Sequence, residues 1–137
     1  MPTCTRRLTF AAGHRVLGHE GKCQNPHGHN YAVEITVSGK LDALGCVVDF
    51  GVVKELVGEW IEANLDHAFL VNRDDQELLD ALDVNGWPVY QMDGNPTAEN
   101  IALMLFKVAG DLLAEKRVAV ERVRVHETEN CYADVSD

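Results

Sequence analysis

The chain has 137 residues, and its 22 acidic side chains against 12 Lys and Arg leave a formal net charge of −10. That length implies one domain spanning residues 1–137, with about two-thirds of the unfolded surface buried and no need of staples. The longest apolar run, Ile101–Phe106, is six residues, far short of the roughly 20 needed to span a membrane, and the surplus of negative charge argues against wholesale binding to nucleic acid or anionic lipid.

Residues 3–12 alternate, with Cys4, Arg6, Leu8, Phe10 and Ala12 on one parity and Thr3, Thr5, Arg7 and Thr9 on the other. This is a strand pattern, and His14 continues the Leu8/Phe10 face if the strand reaches it. A polar loop, 15–26, follows. Then His27, His29, Tyr31, Val33, Ile35 and Val37 share one parity, the mark of a half-buried strand of about ten residues. Asp49 is placed to cap a helix whose stripe is Val52, Val53, Leu56, Val57, Trp60 and Ile61. The acidic stretch 71–96, punctuated by Asn-Gly, Trp-Pro and Asp-Gly-Asn-Pro, reads as a long loop holding at most a turn of helix. Pro96, Thr97 and Glu99 are start signals for a second helix running to about Glu115, with Ile101, Met104, Leu105, Val108 and Leu112 as its stripe. Residues 118–128 and 132–135 read as two strands joined by a tight connection. The order gives an α+β domain, an antiparallel sheet backed by two helices on one face.

Four of the six histidines, His14, His19, His27 and His29, fall within 16 residues, with Cys23 among them. Side chains two apart on a strand point the same way with Cα atoms about 6.5–7 Å apart, so His27 and His29 can share one ion. His14 can add a third nitrogen, because consecutive strands usually pair. Three neutral imidazoles suit Zn²⁺ and leave its fourth position open for water or substrate. Two other readings stand beside this one: ordinary core or loop histidines, and a closed structural site with Cys23 as fourth ligand. Elsewhere, Cys4, Cys46 and Cys131 read as small packing residues, His19 and His126 as solvent-facing, and Tyr31, Trp60, Trp87 and Phe106 as core or interface. The segment after Met1-Pro2-Thr3-Cys4 lacks a signal-peptide pattern, so free thiols in a cytoplasmic setting are expected.

Phe10-Ala11-Ala12-Gly13-His14 and Cys23-Gln24-Asn25-Pro26-His27-Gly28-His29-Asn30-Tyr31 resemble the 6-pyruvoyl-tetrahydropterin synthase / 6-carboxy-tetrahydropterin synthase family. Val48-Asp49-Phe50, Leu65-Asp66-His67, Pro96-Thr97-Ala98-Glu99-Asn100 and Glu127-Thr128 continue the resemblance in order. It implies a tunnelling fold, ββααββ, forming trimeric barrels that stack into a homohexamer with active sites between subunits. It implies 7,8-dihydroneopterin triphosphate as substrate and Zn²⁺ held by His14, His27 and His29. Cys23, Asp66 and His67 would move protons, Glu127 would anchor the pterin, and the backbone of Thr97 and Ala98 would assist. The three residues between Cys23 and His27 resemble the 6-carboxy branch of 7-deazaguanine (queuosine) biosynthesis, which releases acetaldehyde and triphosphate. The pyruvoyl branch usually has a longer spacer. The chain departs from the family where Val71 intervenes between Leu70 and Asn72.

The chemistry implied requires loss of a side-chain proton and expulsion of triphosphate, tasks suited to a Lewis acid and a base working near neutral pH. Positive charge near Cys23, from zinc or Lys22, favours thiolate. Asp66 and His67, as neighbours on an extended segment, would point apart. Glu127 shares the parity of Val123 and Val125, where a carboxylate is costly unless paired, and a pterin edge offers two donors that it can accept. The net charge conceals a gradient. Residues 1–40 hold five basic side chains against two acidic ones, a net +3. Arg15 or Lys22 is therefore expected to meet the triphosphate.

Overall fold

The computed structural model describes residues 1–137, in the order β1 (Thr3–His14), β2 (His27–Ser38), α1 (50–64), β3 (Ala68–Asn72), α2 (Gln76–Asn85), β4 (Val89–Met92), α3 (Ala98–Leu112), β5 (Ala119–Thr128) and β6 (Cys131–Ser136). A π-helical turn, Lys54–Gly58, interrupts α1. One six-stranded sheet has the order β4-β3-β1-β2-β5-β6. Its antiparallel part, β1-β2-β5-β6, and the helices α1 and α3 make up the expected ββααββ frame.

The alternation of β1 and β2 sets which face is inside. Leu8 pairs with Val33 and Phe10 with Tyr31 in antiparallel register. Their side chains share one face with Ile35, Val37, Val123 and Val125, all buried. On that face lie Val53, Val57 and Ile61 of α1 and Ile101, Ala102, Leu105 and Ala109 of α3, which complete one core. Both helices start at side-chain caps: Asp49 accepts from Gly51 N–H at 2.8 Å, and Thr97 Oγ1 accepts from Asn100 N–H at 3.1 Å. The opposite face of the sheet is polar. Glu34 accepts from His126 at 2.6 Å, and Arg124 makes a bidentate pair with Asp134 at 2.6 and 2.9 Å.

The expected loop 71–96 is instead a strand–helix–strand unit, and the sheet is mixed. β3 runs parallel to β1, through Ala12↔Ala68 and Gly13↔Phe69, and β4 runs parallel to β3. Leu70 enters the main core, while its neighbour Val71 joins Leu78 and Leu82 in a second small cluster. Successive strand residues face opposite ways, so α2 packs on the other side of the sheet. The end signals of α2 were present in the sequence. Asp75 caps it by accepting from Leu78 N–H at 3.2 Å, and Gly86 closes it with a left-handed φ of 67°. Strands of five and four residues between such signals are too short to show a period.

Three smaller expectations also change. His126 is half-buried against Glu34 rather than solvent-facing. Cys46 and Cys131 are exposed rather than packed, whereas Cys4 is partly buried. Trp87 is exposed, while Trp60 and Phe106 pack against the core and Tyr31 is fully buried.

Candidate metal centre and active site

The strand register brings the histidines together. His14 pairs directly with His27, and Ala12 with His29. All three imidazoles stand on the core face, with ring centroids 4.6–5.1 Å apart. Their ligand nitrogens lie within 4.8 Å of one another. Beneath them the ring of Tyr31, stacked on Phe10 at 4.9 Å, forms an aromatic floor. The glycines between the ligands belong to the same close approach. A Cβ on Gly28 would sit 3.1 Å from the Ala12 carbonyl oxygen, and one on Gly13 would sit 2.7 Å from the Phe69 ring.

Hydrogen bonds orient the rings. The Nδ1–H of His14 donates to the Pro96 carbonyl at 2.7 Å, and that of His27 to the Asn25 carbonyl at 2.7 Å. Those tautomers leave the two Nε2 lone pairs facing each other at 3.1 Å. His29 Nε2 is buried without a hydrogen-bond partner. Burial holds the His14 ring below the usual imidazole pKa, which keeps it neutral as a ligand must be. Three neutral nitrogens aimed at one point, two with their other nitrogen fixed by carbonyls, fit a single transition-metal ion. Cys23 is not in this cluster, so a closed four-ligand site is not formed. Instead Cys23 sits partly buried in a short 3₁₀ turn, Lys22–Gln24, with its carbonyl accepting from Val16 N–H at 2.8 Å.

Glu127 lies where β5 continues past Val125, so the strand carries it to the cluster rather than fraying. Its Oε1 is 3.4 Å from His29 Nε2. Asp66 and His67 do touch, contrary to the extended geometry assumed from sequence. His67 has a left-handed φ of 65°, which turns its ring back so that Nδ1 is 3.0 Å from Asp66 Oδ2. Asp66 Oδ1 accepts from Ala11 N–H at 2.9 Å, and this bond, with His67 beside it, holds the carboxyl below its usual pKa. His67 is 81% exposed. With Ala11, Gly13, Gly28, Asn30 and Phe69 it lines a cleft of about 440 Å³. By parity those β1 and β2 residues face away from the core, so within one chain His67 and the imidazole cluster occupy opposite faces of the sheet.

The remaining expected site residues have structural partners of their own. Arg15 is bound by Asp75 at 2.6 and 2.5 Å and lies 3.6 Å from Glu77. Lys22 is exposed with no ion pair. Thr97 caps α3, and Ala98 is packed in the core. Sequence reasoning missed the carbonyls of Pro96 and Asn25, since backbone acceptors carry no residue signature.

The chain from residue 3 to residue 137 matches the family model described as 6-pyruvoyl tetrahydropterin synthase. The chain belongs to this family. A relative from Rickettsia typhi, named 6-carboxy-5,6,7,8-tetrahydropterin synthase, is 44% identical over 98% of this chain and 100% of its own. The human 6-pyruvoyl tetrahydrobiopterin synthase is 34% identical over 92% of this chain and 85% of its own. Among solved structures, an uncharacterised protein from Wolinella succinogenes superposes with a TM-score of 0.88, at 22% identity, over 99% of this chain and 98% of that one. The 6-pyruvoyl tetrahydropterin synthase of Caenorhabditis elegans superposes with a TM-score of 0.72, at 22% identity, over 99% and 95%. These two likenesses speak for the fold.

Proposed function

We propose that the protein is a zinc-dependent 6-carboxy-5,6,7,8-tetrahydropterin synthase, a lyase that converts 7,8-dihydroneopterin triphosphate to 6-carboxy-tetrahydropterin, acetaldehyde and triphosphate. The observation that carries it is the cluster of three oriented, unprotonated imidazole nitrogens, one of them buried without a partner. The choice of the carboxy product rests on full-length identity to proteins of that name, 44% in one from Rickettsia typhi, and on the three residues between Cys23 and His27.

His14, His27 and His29 would hold the ion. Bound there, zinc would act as a Lewis acid on the oxygens of the substrate side chain. Glu127 would accept the two N–H donors at the pterin edge, fixing the ring beside the imidazoles. The Cys23 thiolate would take the side-chain proton. His67, its Nδ1 held by Asp66, would return one from Nε2. The backbone at Thr97 and Ala98 would close over the pterin. Lys22 is free to meet the triphosphate, and Arg15 would have to leave Asp75 to do so.

A homohexamer with pockets between subunits accounts for the separation of His67 and the metal cluster on opposite faces. β6 ends the sheet at one side, and β1 pairs with β3 only at Ala12 and Gly13, so both leave unpaired backbone for a neighbouring chain. No helix is long and apolar enough to cross a membrane, and the four free thiols suit the cytoplasm. The pyruvoyl reaction is the second reading, favoured by the human relative's name and distinguished by its retained three-carbon side chain. The test is Cys23→Ala, assayed for metal and for product. It is expected to keep one zinc per chain and to lose acetaldehyde formation by at least about 100-fold; loss of zinc would make the thiol a ligand and overturn its assignment.

A further inference from the structure

The loop carrying Cys23 is gripped at three consecutive residues. The Arg15 guanidinium is held by Asp75 at 2.6 and 2.5 Å. Val16 N–H donates to the carbonyl of Cys23 itself at 2.8 Å. Leu17 pairs with the side-chain amide of Asn95: its N–H donates to Asn95 Oδ1 at 3.0 Å, and its carbonyl accepts from Asn95 Nδ2 at 3.0 Å. Apart from the strand ladder at its two ends, the other hydrogen bonds of this loop are internal or reach only to His27.

Asn95 is itself well fixed. Its Oδ1 also accepts from Asn72 Nδ2 at 3.1 Å, and its carbonyl accepts from Asn100 Nδ2 at 2.8 Å and Thr97 N–H at 2.8 Å. The next residue, Pro96, supplies the carbonyl that orients His14. One short turn therefore fixes a ring of the metal cluster and, through Leu17 and Val16, the peptide that anchors Cys23.

We propose that Asn95 is a positioning residue that sets the placement of the Cys23 thiol relative to the three imidazoles. The inference rests on the reading of Cys23 as the group that moves the substrate proton. A side-chain amide mimicking a strand neighbour offers one donor and one acceptor in fixed geometry, which holds a peptide in one place rather than merely near it. Placement errors of about 1 Å at a reacting group can cost on the order of 100-fold in rate, so the effect belongs in kcat.

Asn95→Asp tests this. It keeps the size and the Oδ1 acceptor but sets an oxygen against the Leu17 carbonyl, and Asn95→Ala serves as a second variant lacking both groups. Expected for each are unchanged zinc content, a KM within about two-fold and a kcat lowered about 10- to 100-fold. Tryptic cleavage after Lys22 should also speed up several-fold, because the loop opens more often. An unchanged kcat, or a fall that comes only with lost zinc or global unfolding in both variants, overturns the proposal. Cys23→Ala run alongside separates the two readings: if it retains turnover, the role of the thiol fails, and the tryptic rate still decides whether Asn95 pins the loop.

Discussion

At the residue scale the decisive feature is His29 Nε2, a buried nitrogen with no hydrogen-bond partner and Glu127 Oε1 3.4 Å away. An unpaired buried polar atom costs free energy, and a metal ion removes that cost. The carboxylate of Glu127 adds negative charge beside the cluster without joining the three ligands. Its assigned partner is the pterin, so Glu127→Gln should leave metal content unchanged. Removing the charge from two hydrogen bonds should raise KM by about 10- to 100-fold. Equilibrium dialysis of zinc beside steady-state kinetics checks this, and loss of metal in the variant would place Glu127 among the ligands instead.

At the scale of elements, the β3–α2–β4 unit is joined to the loop after β1 through Asp75. This carboxylate is 2% exposed, caps α2 through Leu78 N–H at 3.2 Å, and takes the Arg15 guanidinium. Arg15 holds its carboxyl below the usual range, against the opposing effect of burial. A depressed carboxyl contributes stability that is complete above its unfolded pKa, near 3.9, and is lost as pH falls through the folded value. Asp75→Asn should therefore cost about 2–4 kcal/mol at pH 7, and urea midpoints of wild type and variant should converge below about pH 4. A gap that stays constant with pH would count against the ion pair. Gly13 tests the β1–β3 junction: a Cβ there meets the Phe69 ring at 2.7 Å, so Gly13→Ala should cost about 1–3 kcal/mol. Combined with Phe69→Leu, the two substitutions should be less damaging than their sum; strict additivity would show that the ring does not set the limit.

At the scale of the whole molecule, the proposed active site is divided. The imidazole cluster stands on the core face, while His67, 81% exposed, lies on the other with Gly28 and Asn30. A pocket that uses Cys23 with His67 then takes them from two chains. Mixing inactive Cys23→Ala with inactive His67→Ala should restore activity at up to about a quarter of the sites, by random assembly of a symmetric oligomer. Mixed samples that stay inactive after subunit exchange would place both groups in one chain. The charge distribution also acts at this scale: the first 40 residues carry net +3 within a chain of −10, so the total bears on solubility rather than on the choice of an anionic substrate.

Alternation in β1 and β2, the caps at Asp49 and Thr97, and the parity of His14, His27 and His29 were all legible in the sequence. Each depends on neighbours within a few residues, and period and capping chemistry are local. The ordered motifs made the family legible as well. Tertiary structure alone decided the rest. The strands β3 and β4 exist because Ala68–Asn72 finds a parallel partner in β1, more than 50 residues earlier, and so short a segment has no strand identity of its own. The left-handed turn at His67 brings its ring to Asp66, an outcome of the backbone bond to Ala11 rather than of residue type. Arg15 was legible as a cation but not as the partner of Asp75, and Asn95 as a turn residue but not as a clamp on Leu17. Both contacts join segments 60 or more residues apart, and their geometry is set by packing that no local pattern records.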